Sequence, residues 1–369
     1  MKPRVLISQR IFDEAALLVK QEFETEENTS GAPFPPEILA EKLQGKAGAI
    51  ILLTDRIDEN LLSRCPQLKV ISNVAVGYDN IDVRACTRHG IMVTNTPGVL
   101  DDTTADFTWT LILATARRVV EADGYLRSLK WKRWELMQLL GSDIHHKVLG
   151  ICGLGRIGQG VARRAKGFDM QIVYTDVSPA ARSVEKVLGV RFVDKKTLLT
   201  QSDFVTLHVP LLPSTMHYIS REEFSLMKKT AILINASRGP VVDEKALVRA
   251  LEEGRIAGAG LDVYEREPEV DPGLIKLENV VLAPHIASAS YETRLRMATM
   301  AAENLVAGLK GNRPPNLVNP EVLERPWRCG NRFPPTRQTK PNLPRVVQHL
   351  VMETQRVQKG KGKSNEPGH

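Results

Sequence analysis

The sequence has little of what marks membrane, secreted or metal-clustered proteins. No apolar run approaches the ~18–20 residues that a membrane-crossing helix needs. The N-terminal stretch MKPRVLISQR passes straight into a strand-like pattern, without the apolar core of a signal peptide. The four cysteines, Cys65, Cys86, Cys152 and Cys329, are scattered and form no CxxC pair. That argues against a disulfide framework or a zinc site. A cytoplasmic protein is the expectation. With 42% hydrophobic and 25% charged residues in 369, the chain is globular in type and long enough for two domains.

The body also lacks an excess of either charge. The net charge of +7 is carried by the end of the chain: residues 325–369 hold ten Lys/Arg and two Asp/Glu, against 40 and 41 in the remainder. No nucleic-acid-binding face is expected on the globular body. The 325–369 segment is rich in proline and arginine with little apolar periodicity, and is expected to be a disordered basic tail.

What is present is a rhythm. RVLIS (4–8), AIILL (49–53), LKVISNV (68–74) and IMVTN (91–95) read as strands separated by helical stretches. A long helical pattern follows from Asp101 to about Leu129. The rhythm then restarts with VLGIC (148–152), QIVYTD (171–176), DFVTLHV (203–209), AILINAS (231–237), AGLDV (259–263) and NVVLAPH (279–285). Alternating strands and helices imply parallel sheets, and strands apolar nearly throughout imply helices on both faces. The expected fold is α/β: two doubly wound parallel-sheet domains with a cleft between them. The first would be discontinuous, residues 1–99 plus 287–320, and the second would span 100–286.

GICGLGRIGQGVARRAKGFDMQIVYTD places Gly153, Gly155 and Gly158 in G-x-G-x-x-G spacing, after a strand and before a helix. The first glycine permits the tight turn, the second lets a pyrophosphate approach the backbone, and the third lets helix and strand pack closely. The helix N-terminus supplies free N–H groups and partial positive charge for phosphates. Asp176 follows Gly155 by 21 residues, close to the ~20-residue offset of a ribose-binding acid. A carboxylate there would repel a 2′-phosphate, so NAD is expected over NADP.

A nicotinamide cofactor implies hydride transfer, which needs a proton donor and a group that holds the substrate. Three polar residues follow successive strands. Arg238 follows ILINAS, Glu267 lies in LDVYEREPE, and His285 stands in VVLAPHIASAS. A guanidinium fork suits a carboxylate, and an imidazole beside a carboxylate has a fixed tautomer and a pKa suited to proton donation. Singly, such residues are more often surface ion pairs or strand-end caps. His145–His146 has no accompanying ligand pattern and reads as a loop, and His208 reads as a strand cap.

From about Lys2 to Pro320 the chain resembles the D-isomer-specific 2-hydroxyacid dehydrogenase family, most closely its glyoxylate/hydroxypyruvate reductase branch. The residues that carry the likeness include NVAVGYDNID (73–82), VTNTPGVL (93–100), TTADFTWTLIL (103–113), GLGRIGQ (153–159), HVPL (208–211), NASRGPVVDE (235–244), GAGLDVYEREP (258–268) and NVVLAPHIASAS (279–290). The resemblance implies that Arg238 anchors a 2-oxo acid, that His285 is the general acid/base, and that Glu267 is its paired carboxylate. It implies that the backbone amides of Val76 and Gly77 hold the substrate carboxylate and that Leu53 lines the pocket. Thr104, Arg156, Ile157, Val209, Pro210, Ala236 and Asp262 match positions around the dinucleotide, Asp262 near the nicotinamide carboxamide. It further implies a homodimer formed through 101–140, with Trp134 at the partner's active site.

Other members of the superfamily are weighed on single residues. The resemblance puts a lysine at the position of Val76 in phosphite dehydrogenases and a glutamine at that of Glu267 in formate dehydrogenases; both count against those activities. A 2-ketogluconate-type reductase stays open, because pocket volume and not the Arg/Glu/His set separates it. An NAD-sensing, corepressor-like binding protein is the reading from a different class, motivated by the basic tail.

Overall fold

The computed structural model describes residues 2–324, so the expectations for the basic tail and for Cys329 lie outside the described residues. The first sheet contains β1 (Arg4–Ile7), β2 (Glu24–Glu27), β3 (Gly48–Ile51), β4 (Val70–Asn73) and β5 (Met92–Thr94), in the order β2-β1-β3-β4-β5. The second contains β6 (Val148–Cys152), β7 (Gln171–Thr175), β8 (Val190–Phe192), β9 (Phe204–Leu207), β10 (Ile232–Asn235), β11 (Gly258–Leu261) and β12 (Val280–Leu282). Its order is β12-β11-β10-β9-β6-β7-β8. Every strand pairing within the two sheets is parallel. The α/β architecture with two doubly wound sheets is therefore the one expected. Among the described residues, no helix is long and apolar enough to cross a membrane.

Central strands β6, β9, β10 and β11 are buried almost throughout, because helices cover both faces of the second sheet. One apolar cluster on that sheet gathers Val205, Leu233, Phe224 and Leu247, and another gathers Trp109, Ile151, Tyr174 and Phe204. Helix Asp101–Ala116 packs on β10, β11 and β12. Helix Tyr291–Leu309, capped by the Ser290 side chain, packs instead on β3, β4 and β5 of the first sheet. It sits so close that a Cβ on Gly308 would lie 2.8 Å from Val70 Cγ2. A third small cluster joins the two lobes: Val74, Val99 and Leu100 meet Ile157, Met297 and Met300.

Two departures from the sequence reading have physical causes. Strand β2, ETEE, has no apolar pattern; it is a sheet edge whose Glu26 is held by Lys42 at 2.8 Å and Lys46 at 2.5 Å. Hydrogen bonds from those two lysines pull the Glu26 carboxyl down to about 2. The second departure is the long helical pattern. It breaks at Arg118, in the left-handed region at φ 52°, into helices Asp101–Ala116 and Val119–Arg127. Residues 130–140 form no helix.

Leu305 is fully buried between its helix and the first sheet. Leu305→Ala is expected to cost about 2–5 kcal/mol, read as a lowered unfolding midpoint in urea.

Candidate functional site

The chemistry-bearing residues gather at the carboxyl ends of the second sheet, where open α/β sheets bind ligands. The glycine turn follows β6. Gly153 has φ 93°, and its N–H donates to Thr175 O at 2.8 Å. A Cβ on Gly158 would sit 2.2 Å from Gly153 O, so helix and turn close up only on glycine there. A Cβ on Gly155, by contrast, would meet nothing within 4 Å. That open face lies at the start of helix Arg156–Ala165, whose first N–H groups have no intrahelical acceptor and no side-chain cap. Asp176, just past β7, braces the turn by accepting from Leu154 N at 2.8 Å and Val177 N at 2.7 Å. Each of its oxygens keeps a free lone pair for a ribose hydroxyl. A dinucleotide fits this cradle.

Val209 and Pro210 follow β9, Ala236 follows β10, and Thr104 is buried on helix Asp101–Ala116. Arg156 is exposed at the helix start, while the Ile157 side chain packs into the cluster between the lobes. His208 stands at the end of β9 with Nε2 buried and unpartnered; burial pushes its imidazole down to about 4, so it is neutral at ordinary pH.

Arg238, Glu267 and His285 come from adjacent strand ends, after β10, β11 and β12. His285 Nδ1 lies 2.8 Å from Glu267 Oε2, and Glu267 Oε1 accepts from Tyr264 N at 3.1 Å. Burial raises the Glu267 carboxyl, but the hydrogen bond and charge of His285, with the Tyr264 N–H and Arg238, outweigh it. The net position is below the ordinary glutamate value. Pairing through Nδ1 leaves the His285 Nε2 as the atom for a ligand. His285 has φ 54°, a left-handed conformation uncommon outside glycine. Asp262 maintains it: its carbonyl accepts from His285 N at 2.9 Å, and its carboxylate accepts from Ile286 N at 2.7 Å and Ala287 N at 2.8 Å. Burial pushes the Asp262 carboxyl up against these hydrogen bonds.

Arg238 reaches across to the first sheet's loops. Its Nε donates to Asp79 Oδ1 at 3.0 Å. Beside it, the N–H groups of Val76 and Gly77 donate to no acceptor among the described residues. Two carbonyls of that loop are fixed, Val76 O by Asn95 at 2.8 Å and Gly77 O by Asn73 at 2.9 Å. Leu53 lies at the rim of a cleft of about 960 Å³ that also contains Leu52, Thr54, Val74, Glu267 and His285. Trp134 is 74% exposed on the 130–140 segment.

Some supporting residues escape a reading of motifs. Glu244 accepts from Glu265 N at 2.9 Å and Asp271 N at 3.0 Å, and so shapes the loop that carries Glu267. Asn80 donates to Leu52 O at 3.2 Å and Asp55 O at 2.9 Å, tying the Val76–Gly77 loop to the Leu53 loop. Glu244 and Asn80 lie inside the quoted motifs, but no spacing signals their partners.

A family model described as D-isomer specific 2-hydroxyacid dehydrogenase, NAD binding domain, matches residues 109–287. A glyoxylate reductase of Korarchaeum cryptofilum is 53% identical over 326 residues, 88% of this chain and 98% of that protein. A solved Thermus thermophilus protein is 43% identical with a TM-score of 0.80, covering 85% of this chain and 99% of that one. An NADPH-dependent glyoxylate/hydroxypyruvate reductase from Sinorhizobium meliloti, solved with NADP and malonate, is 32% identical with a TM-score of 0.77. That match covers 87% of this chain and 98% of that one.

The depressed Glu267 carboxyl gives a pH prediction. The folded state binds this proton more weakly than the unfolded state, so the pair's stabilisation is present above the ordinary glutamate range. It is lost as pH falls through the folded value. Tm measured from about pH 6 down to 3 should therefore fall more steeply for the native chain than for Glu267→Gln; parallel curves would mean that the pair adds no stability.

Proposed function

We infer that this chain, which belongs to the D-isomer specific 2-hydroxyacid dehydrogenase family, reduces a small 2-oxo acid of the glyoxylate or hydroxypyruvate type to the D-2-hydroxy acid. The observation that carries the reading is the His285–Glu267 pair at 2.8 Å, set beside Arg238 at the strand ends next to a glycine turn. Val76 N–H, Gly77 N–H and the Arg238 guanidinium hold the substrate carboxylate. Arg238 also polarises the adjacent carbonyl oxygen. His285 gives the proton on Nε2 to that oxygen as it gains negative charge, and Glu267 stabilises the imidazolium and its tautomer. Gly153, Gly155, Gly158, Arg156, Ile157 and Asp176 would hold the dinucleotide, with Thr104, Val209, Pro210, Ala236 and Asp262 around it; when bound, it supplies the hydride.

NADH is favoured over NADPH because the Asp176 carboxylate would stand against a 2′-phosphate. A cleft of about 960 Å³ opens beside His285, Glu267 and Leu53, next to the Arg238 and Val76–Gly77 groups but not lined by them, and room there supports larger sugar-derived 2-keto acids such as 2-ketogluconate as a second reading. The working compartment is the cytoplasm, where the three buried free thiols Cys65, Cys86 and Cys152 stay reduced. The assembly is a homodimer. Val119, Val120, Leu126, Leu129, Trp131 and Leu136 are each more than half exposed, and exposed apolar side chains gathered on one segment support an interface there. Trp134, on the same segment, belongs at the partner's cleft.

With glyoxylate, hydroxypyruvate, pyruvate and 2-ketogluconate, NADH absorbance should fall faster than NADPH absorbance for at least one acid. His285→Ala should lower kcat about 10²–10⁴-fold with folding intact, and near-normal turnover would remove this mechanism. Light scattering should give twice the chain mass, and Leu129→Asp with Leu136→Asp should give the monomer; a monomeric native chain would overturn the dimer.

A further inference from the structure

We propose that Asp79 is a positioning residue: it reaches from the first sheet's loops to the guanidinium of Arg238, on the second sheet, and aims it at the substrate carboxylate. The inference rests on the 2-oxo acid reading of the same cleft. Arg238 follows β10, whereas Asp79 lies in the turn after β4, so this contact joins the two lobes at the site. Arg238 Nε donates to Asp79 Oδ1 at 3.0 Å, and Nη1 donates to Ser237 O at 2.8 Å. Nη2 has no acceptor among the described residues and stands directly over Gly77, where a Cβ would lie 1.7 Å from it. The one uncommitted nitrogen of the guanidinium therefore sits against the loop whose Val76 and Gly77 N–H groups are also free.

Asp79 can aim a long side chain because its own turn is fixed. Asn73 holds Gly77 O at 2.9 Å, Ile57 N donates to Asn80 O at 2.9 Å, and Asp82 N donates to Ile57 O at 2.8 Å. A competing carboxylate is Glu267, whose charge interacts with that of Arg238. Without Asp79, the guanidinium would be free to turn toward Glu267 and compete with His285 for it. Asp79 thus pre-orders a side chain that otherwise loses rotamer freedom on binding, and keeps it away from the proton donor's partner.

The test compares Asp79→Ala and Asp79→Asn in the full chain. Asp79→Ala should raise KM for the 2-oxo acid about tenfold or more, with the Kd for NADH within about twofold of the native value. Asp79→Asn keeps an oxygen acceptor without the charge, so its KM should fall between the two. An unchanged KM in Asp79→Ala overturns the proposal, as does a common shift of KM, NADH Kd and Tm, which would mark a general loss of structure. Failure of the substrate reading is distinguished by a measurement that needs no substrate, a double-mutant cycle in Tm between Asp79→Ala and Arg238→Ala. Non-additive shifts support the contact even if the native chain reduces no 2-oxo acid tried, and additive shifts overturn it.

Discussion

Asp262 is fully buried, and an ionised carboxylate taken from water without partners is among the most expensive things a fold can contain. Here the Ile286 and Ala287 N–H groups answer it, and its own carbonyl takes the His285 N–H. Three bonds from one residue thus set the backbone at and after His285. They hold His285 in a left-handed conformation that it would seldom adopt alone. In that conformation Nδ1 meets Glu267, and Glu267 in turn depends on a loop shaped by Glu244. The His285–Glu267 geometry is accordingly a property of backbone held by the buried Asp262 and the half-buried Glu244, with the imidazole at its half-buried tip.

Much of this was legible in the chain. VLGIC reads as β6 residue for residue, because a strand covered on both faces must be apolar throughout and needs no alternation to be recognised. The glycine turn was legible because steric demands at Gly153 and Gly158 leave no other residue type. Arg238, Glu267 and His285 were legible by position, each just beyond a strand of one sheet.

The rest depended on contacts that sequence spacing does not encode. Strand β2 is acidic and is stabilised at a sheet edge by lysines 16 and 20 residues away along the chain. The break at Arg118 falls within a pattern that continues to look helical. Asp262 matched a family position near the nicotinamide, yet both its oxygens face amides 24 and 25 residues onward. Asp79 lies within a quoted motif, but its partner is 159 residues away. In each case tertiary proximity assigns the work.

Helix Tyr291–Leu309 has a consequence for how the chain is made. It covers β3, β4 and β5, yet it is separated from β5 by roughly two hundred residues that build the other sheet. At ~5–20 residues per second on the ribosome, the apolar face of the first sheet would wait on the order of 10–40 s for its cover. Meanwhile the second sheet can complete itself, since its strands are contiguous in sequence. The lobe synthesised first is therefore the lobe finished last, and a nascent chain stalled before residue 291 would present an uncovered sheet to its neighbours and to chaperones.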